Sequence, residues 1–180
     1  MLALRHVKPG KSLIDVGCGT GEFLVQLKDR FNSLAGIDVS PDIIEFTSRK
    51  IKNYKNISLY RGELHSFNFP SEHFDVCLCL DVLEHVPNYL LLFEEVYRIL
   101  RKDGDLIVTI PNKYDKIVSK VLRRNPLHIR TFTPWHWMGI SEKTGFKIRF
   151  LQSDRFSINK FRISIGKNSN LGNVHISDSF

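Results

Sequence analysis

Three glycines spaced two apart, Gly17, Gly19 and Gly21, close the run Leu13-Ile14-Asp15-Val16 and stand just before Glu22-Phe23-Leu24, where a helical pattern begins. Glycine lets a backbone turn sharply and lie against a ligand with no Cβ in the way. A helix that follows such a turn aims free N–H groups at whatever sits there. The chemistry implied is capture of a nucleotide-like ligand at the end of a first strand. The dinucleotide fingerprint is G-x-G-x-x-G with an acid about 20 residues further on, and here the third glycine comes one residue early. Asp38 ends the second strand-like run, placed to accept hydrogen bonds from both hydroxyls of a ribose. Asp15, two residues before Gly17, lies close enough to the turn to help hold a cationic amino group.

Further along, Asp81, Glu84 and His85 form a D-x-x-E-H group after the fourth strand-like run. An unperturbed histidine pKa of about 6.5 suits a general base, and the alternative role for His85 is to brace the loop. Cys18, Cys77 and Cys79 are odd in number and show no C-x-x-C or Cys/His spacing, so no zinc site is read from them. They suggest a reduced, cytoplasmic protein with structural thiols. Lys113, Lys116, Lys120 and Arg124 share one face of a predicted helix over 113–124, opposite Tyr114, Ile117, Val118, Val121 and Leu122. That face can be a solvated covering surface, a membrane-surface contact, or a patch for RNA.

These residues need a scaffold. Strand-like runs recur at 13–17, 33–38, 56–60, 74–80 and 105–110, alternating with helical patterns at 21–31, 41–52 and 88–101. Such alternation predicts a parallel sheet covered on both faces. Ser40-Pro41 and Asn88 are helix-start signals. Thr133-Pro134-Trp135 opens a later helix, Gly145 caps it, and 146–151 with 157–165 read as a closing pair of strands. Residues 1–165 form a single domain on this reading, and the Gly/Asn/Ser-rich stretch 166–180 a flexible tail. No run approaches the length of a membrane span, and the amino end is not a signal peptide. The charge is uneven: residues 1–112 carry 13 basic and 15 acidic side chains, residues 113–167 carry 13 and 3. The basic character belongs to the segment after the fifth strand.

Asp15-Val16-Gly17-Cys18-Gly19-Thr20-Gly21 resembles the first motif of class I S-adenosylmethionine-dependent methyltransferases, and Gly36-Ile37-Asp38-Val39-Ser40 resembles the second. Phe74–Leu80 with Val82-Leu83-Glu84-His85-Val86 is similar to the fourth strand and its exit in the branch acting on small molecules and lipids, the ubiquinone-biosynthesis-like type 11 enzymes. Ile99–Leu106 resembles the approach to the fifth strand, with Asp103 where proline is usual and Asp105 where a glycine is usual. His128-Ile129-Arg130-Thr131-Phe132-Thr133 looks like the H-x-R-x-F-T stretch of the same branch.

The resemblance implies an α/β, Rossmann-like, doubly wound seven-stranded sheet, mostly parallel with an antiparallel C-terminal hairpin. It implies S-adenosyl-L-methionine as cofactor and S-adenosyl-L-homocysteine as product. Gly17 and Gly19 would pack against the methionine part within a turn completed by Cys18 and Gly21, with Asp15 beside it. Asp38 would hold the ribose, Val39 the adenine face, and Glu63-Leu64 the adenine edge, with Glu63 where aspartate is more common. The Leu80 carbonyl would face the amino group. Some quinone-pathway relatives bind a divalent metal with acids and a histidine placed like Asp81, Glu84 and His85, but the reading here is without metal. His128 and Arg130 could meet an acidic group of the acceptor, while Phe132, Trp135 and Trp137 could equally pack a helix onto the sheet. About a dozen residues precede the first strand, where relatives carry capping helices. This leaves either a truncated amino end or an open site with a lid from 113–137.

The expected activity is methyl transfer (EC 2.1.1.-) at oxygen to a small-molecule or lipid-linked acceptor, anionic acceptors included, with 113–124 as a peripheral membrane contact. The absence of an Asn/Asp-Pro-Pro-aromatic run after the fourth strand, and of a Pro-Cys nucleophile, argues against nucleic-acid bases as acceptors. Two alternatives stay open at this stage, a catalytically silent cofactor-binding module serving a partner and an NAD(P)-dependent oxidoreductase.

Overall fold

The computed structural model describes residues 9–111, 134–153, 160–166 and 175–177. The first half of the chain contains β1 (Gly10–Val16), α1 (Glu22–Leu27), β2 (Phe31–Asp38), α2 (Pro41–Ile51), β3 (Ile57–Arg61) and β4 (Phe74–Leu80), with 3₁₀ turns at Leu64–Ser66 and Leu83–His85. Then follow α3 (Tyr89–Ile99), β5 (Leu100–Pro111), α4 (Pro134–Lys143), β6 (Lys147–Ser153), β7 (Lys160–Gly166) and β8 (His175–Ser177).

Alternation along the central strands builds two cores. Ile14, Val16, Ala35, Ile37, Cys77, Cys79, Leu106 and Val108 face one side of the sheet, under Leu92, Phe93, Val96 and Ile99 of α3 and with Ile140 and Phe146. Leu13, Leu34, Val76, Leu78 and Ile107 face the other, under Leu24 and Leu27 of α1 and Ile51 of α2. Strands buried on both faces read as near-continuous apolar runs, which is how Leu13–Val16 and Val76–Leu80 read. Ser40 and Asn88 cap their helices, their side-chain oxygens accepting from Ile43 N–H (3.4 Å) and Leu91 N–H (3.3 Å).

The strands lie in one sheet in the order β3-β2-β1-β4-β5-β7-β6-β8. β1 to β5 are mutually parallel, and β7 runs antiparallel to both β5 and β6. The expected seven strands become eight among the described residues, because β8 pairs parallel with β6 at Phe150–Gln152. It covers an edge that would otherwise show a row of unpaired backbone groups, and it falls inside 166–180, where composition predicts a flexible tail.

The chain winds outward from β1 through β2 to β3, then crosses back to set β4 on the other side of β1. Connections therefore leave the carboxyl ends of β1 and β4 in opposite directions and open a crevice there, the place where doubly wound sheets bind ligands. No helix among the described residues is long and apolar enough to cross a membrane. The segment 113–124, with His128, Arg130 and Phe132, lies outside the described residues, as do the side chains of Trp135 and Trp137.

Candidate functional site

The glycine turn at the crevice is held from three sides. Gly17 and Cys18 both donate their N–H groups to the Ile37 carbonyl of β2 (2.8 Å each), and Gly21 donates to the Cys18 carbonyl (2.9 Å). The fully buried Thr47 of α2 donates its hydroxyl to the Gly19 carbonyl (2.9 Å), and Lys50 Nζ reaches the Thr20 carbonyl (3.1 Å). Gly17 has φ +72°, and a Cβ there would lie 2.3 Å from Val82 Cγ2, so the segment leaving β4 closes against it. Gly19 has φ +51°, yet a Cβ there would meet nothing within 4 Å. The turn thus presents an open face at Gly19, and glycine is required there by backbone conformation rather than by crowding.

Gly19 N–H donates to Asp38 Oδ2 (3.0 Å). With Gly17, Cys18 and Gly21, four of the five amides in Gly17–Gly21 are bonded within the protein. A phosphate cradle needs such N–H groups aimed outward. This turn does not offer one, and the carboxylates beside it would repel a diphosphate. The site suits a nucleoside without phosphate and with positive charge.

Asp38 is half-buried, and its other oxygen, Oδ1, accepts from Ser40 N–H (2.9 Å). A carboxylate has about four acceptor positions, so Asp38 can take these two amides and still receive a ribose diol. Asp15 lies beneath the turn, 1 % exposed, with Oδ2 buried and without a hydrogen-bond partner. Burial, and secondarily the charge of Asp38, push its pKa up to about 8. Asp15 therefore carries a proton at neutral pH until a cation arrives to favour the charged form. The Cys18 thiol is pushed up to about 12 by burial, then by Asp15 and Asp38, which makes it inert rather than nucleophilic.

The crevice holds a cavity of about 350 Å³, within the range of small-molecule sites. Gly17, Asp38, Val39, Glu63, Leu64 and His85 all lie on its wall, so residues far apart in sequence converge there. Val39 is 65 % exposed, an apolar side chain on the cavity wall. Glu63 caps the 3₁₀ turn at Leu64–Ser66 and pairs with His65 Nδ1 (3.4 Å). Asp15, Cys18, Gly19, Gly21 and Leu80 are not among the wall residues. They stand behind or beside it, and after Leu80 the wall is formed by Asp81 and Val82.

His85 is exposed on the 3₁₀ turn Leu83–His85, whereas Glu84 is 3 % exposed. Among the described residues no group of three or more acids, histidines or cysteines is placed to hold a metal, and Asp81, Glu84 and His85 do not form one. Sequence reasoning gave no site role to Thr47, Gly62, Val82, Pro87 or Asn88, all at the turn or on the wall. Thr47 carried a signal, a hydroxyl residue four before Ile51 on the buried stripe of α2.

The chain matches the methyltransferase-domain family over residues 14–108. It is 35% identical over 158 residues to an uncharacterised protein of Methanocaldococcus jannaschii, covering 84% of this chain and 62% of that protein. It is 29% identical over 119 residues to the demethylmenaquinone methyltransferase of Lysinibacillus sphaericus, covering 63% of this chain and 50% of that enzyme. The chain thus spans about half to three-fifths of these relatives. A Bacillus halodurans structure named as a candidate methyltransferase superposes with a TM-score of 0.80 at 15% identity, covering 93% of this chain and 97% of the other, which speaks to the fold. With the family match spanning the glycine turn, Asp38 and the exit of β4, and with a cavity that fits a phosphate-free cationic nucleoside, the chain belongs to the class I S-adenosylmethionine-dependent methyltransferases.

Proposed function

We propose that this protein transfers a methyl group to a small-molecule or lipid-linked acceptor, at oxygen. One observation carries the reading: a single cavity joins the nucleoside wall of Asp38, Val39, Glu63 and Leu64 to an apolar wall of Val86, Pro87, Leu91 and Leu92. The cofactor, when bound, supplies a sulfonium methyl group open to in-line attack. Asp38 holds the ribose, Val39 lies on the adenine face, and Glu63-Leu64 meet its edge. Gly17–Gly21, with Asp15 beneath, and the Leu80 carbonyl enclose the amino-acid end. The apolar wall excludes water and aligns the acceptor. His85, exposed on the same wall, receives the proton that the acceptor hydroxyl gives up. The name of the L. sphaericus relative supports an acceptor of small-molecule type. The basic residues of 113–124 would bring a lipid-linked acceptor to the site from a membrane surface.

Calorimetric titration with S-adenosylhomocysteine, with NADH in parallel, tests the cofactor half of this reading. Micromolar affinity for the first and none for the second is expected; the reverse pattern would return the chain to oxidoreductase chemistry. For the acceptor half, His85→Ala is expected to lower turnover of a quinol or phenol acceptor about 100-fold, a usual size for a general base, with S-adenosylhomocysteine affinity unchanged. An unaltered rate would remove His85 as the base.

A further inference from the structure

Asp81 is one of two non-glycine residues with positive φ among those described (+56°), and it sits on the cavity wall at the exit of the central strand β4. Left-handed backbone is costly for most side chains and tolerable for Asp and Asn. Where it persists, the surroundings hold it in place, and such sites gather where ligands bind.

Here the holder is Thr109 of β5. Its hydroxyl accepts from Asp81 N–H (2.9 Å) and donates to Asp81 Oδ1 (2.9 Å), while its carbonyl also takes the Asp81 N–H (3.3 Å). Backbone and carboxylate are thus fixed together by one neighbouring residue. The next residue, Val82, packs where a Gly17 Cβ would lie, so Asp81 is set directly beside the glycine turn. Asp38 and Val39 mark the nucleoside end of the same cavity and the apolar residues of α3 the acceptor end. Asp81 lines the same cavity. Nothing in the proposed acid–base chemistry uses its charge.

We infer that Asp81, positioned by Thr109, presents its carboxylate to the sulfonium of the bound cofactor and so makes the site prefer the charged substrate to its neutral thioether product. The inference rests on the methyltransferase reading and assigns it a discriminating residue. The two ligands share adenine, ribose, amino and carboxyl groups and differ by one methyl and one positive charge, so their affinity ratio isolates the interaction. A fixed carboxylate near a cation in a partly dry cavity favours the cation without any movement at the moment of binding. Product release follows from the same source, since methyl transfer removes the charge that Asp81 holds.

The test is calorimetry of S-adenosylmethionine and S-adenosylhomocysteine on the unaltered chain, Asp81→Asn and Thr109→Val. Asparagine tolerates the left-handed backbone and keeps an oxygen for the Thr109 hydroxyl, so Asp81→Asn removes charge with little change of shape. The expected result is a loss of about tenfold in S-adenosylmethionine affinity, with S-adenosylhomocysteine affinity within twofold, since one unscreened charge pair is easily worth that factor. Thr109→Val is expected to shift the ratio in the same direction by about threefold, as freeing one end of a fixed hydrogen-bonded pair does. Equal loss for both ligands, or loss for neither, would overturn the inference while leaving the methyltransferase assignment standing. Failure of the unaltered chain to bind either ligand would overturn the assignment itself and the inference with it.

Discussion

Replacing Asp15 with asparagine is expected to shift relative stability in the variant's favour by about 4 kcal/mol between pH 4 and pH 7. The carboxyl is buried, has an unpartnered oxygen, and has its pKa pushed from 3.8 up to about 8 by burial and then by Asp38. Between those two values the unfolded chain has released a proton that the folded chain retains. Folding stability contributed by this group therefore falls as pH rises, by about 1.4 kcal/mol per unit, and levels off above pH 8. Asparagine does not titrate, so the slope vanishes in the variant. Any fixed cost of burying the amide is the same at every pH and drops out of the comparison. Urea unfolding of both proteins at pH 4, 5.5 and 7 measures the effect. A difference that stays constant across this range would mean that Asp15 is already ionised in the folded protein. Acids that oppose folding at neutral pH gather at ligand sites, and a cation bound above the turn would draw the proton off.

Asp38→Ala is expected to lower the affinity for S-adenosylhomocysteine by about 100-fold or more, the scale of two hydrogen bonds to a charged acceptor. It removes the proposed ribose acceptor and at the same time the partner of Gly19 N–H and Ser40 N–H, so the turn loses a strut on the cavity side. The fold should survive, because Asp38 lies at the end of β2 and only half within the protein. An unchanged melting temperature together with lost binding supports the assignment. Retained micromolar affinity would place the ribose elsewhere. Asp38→Asn keeps one acceptor oxygen and is expected to fall between the two.

The parts of this site that follow the backbone were legible in the residues. The glycines and Asp38 are read from strand ends, because a doubly wound sheet puts strand ends at its crevice whatever its acceptor, whereas Val39 follows from the family resemblance. Ends governed by tertiary contacts were not. β1 begins at Gly10 rather than Leu13 because Asp75 on β4 accepts the Lys11 and Ser12 N–H groups (2.7 and 2.8 Å). α1 stops at Leu27, not at Phe31, since Phe31 is 4 % exposed and starts β2. β5 starts at Leu100 rather than Asp105, where a fully buried Leu100 pairs with Phe74 before the register shifts. Such contacts join residues more than 25 positions apart, and no local period encodes them. Thr109 is the same case: within its strand it is one β-former among several, and only its pairing with Leu80 brings it to Asp81.

The hydroxyl bond from Thr47 to Gly19 extends its consequence beyond the turn it supports. One helix, α2, meets Asp38 through its N-cap Ser40 and the glycine turn through Thr47 two turns later. Asp38 and the glycine turn are thus braced by a single stiff body rather than by separate loops. Ordering of the turn and of Asp38 is thus complete when these elements fold, so little of it is left for a ligand to impose. From these elements, the heat-capacity change of association should carry only the apolar surface that the ligand covers.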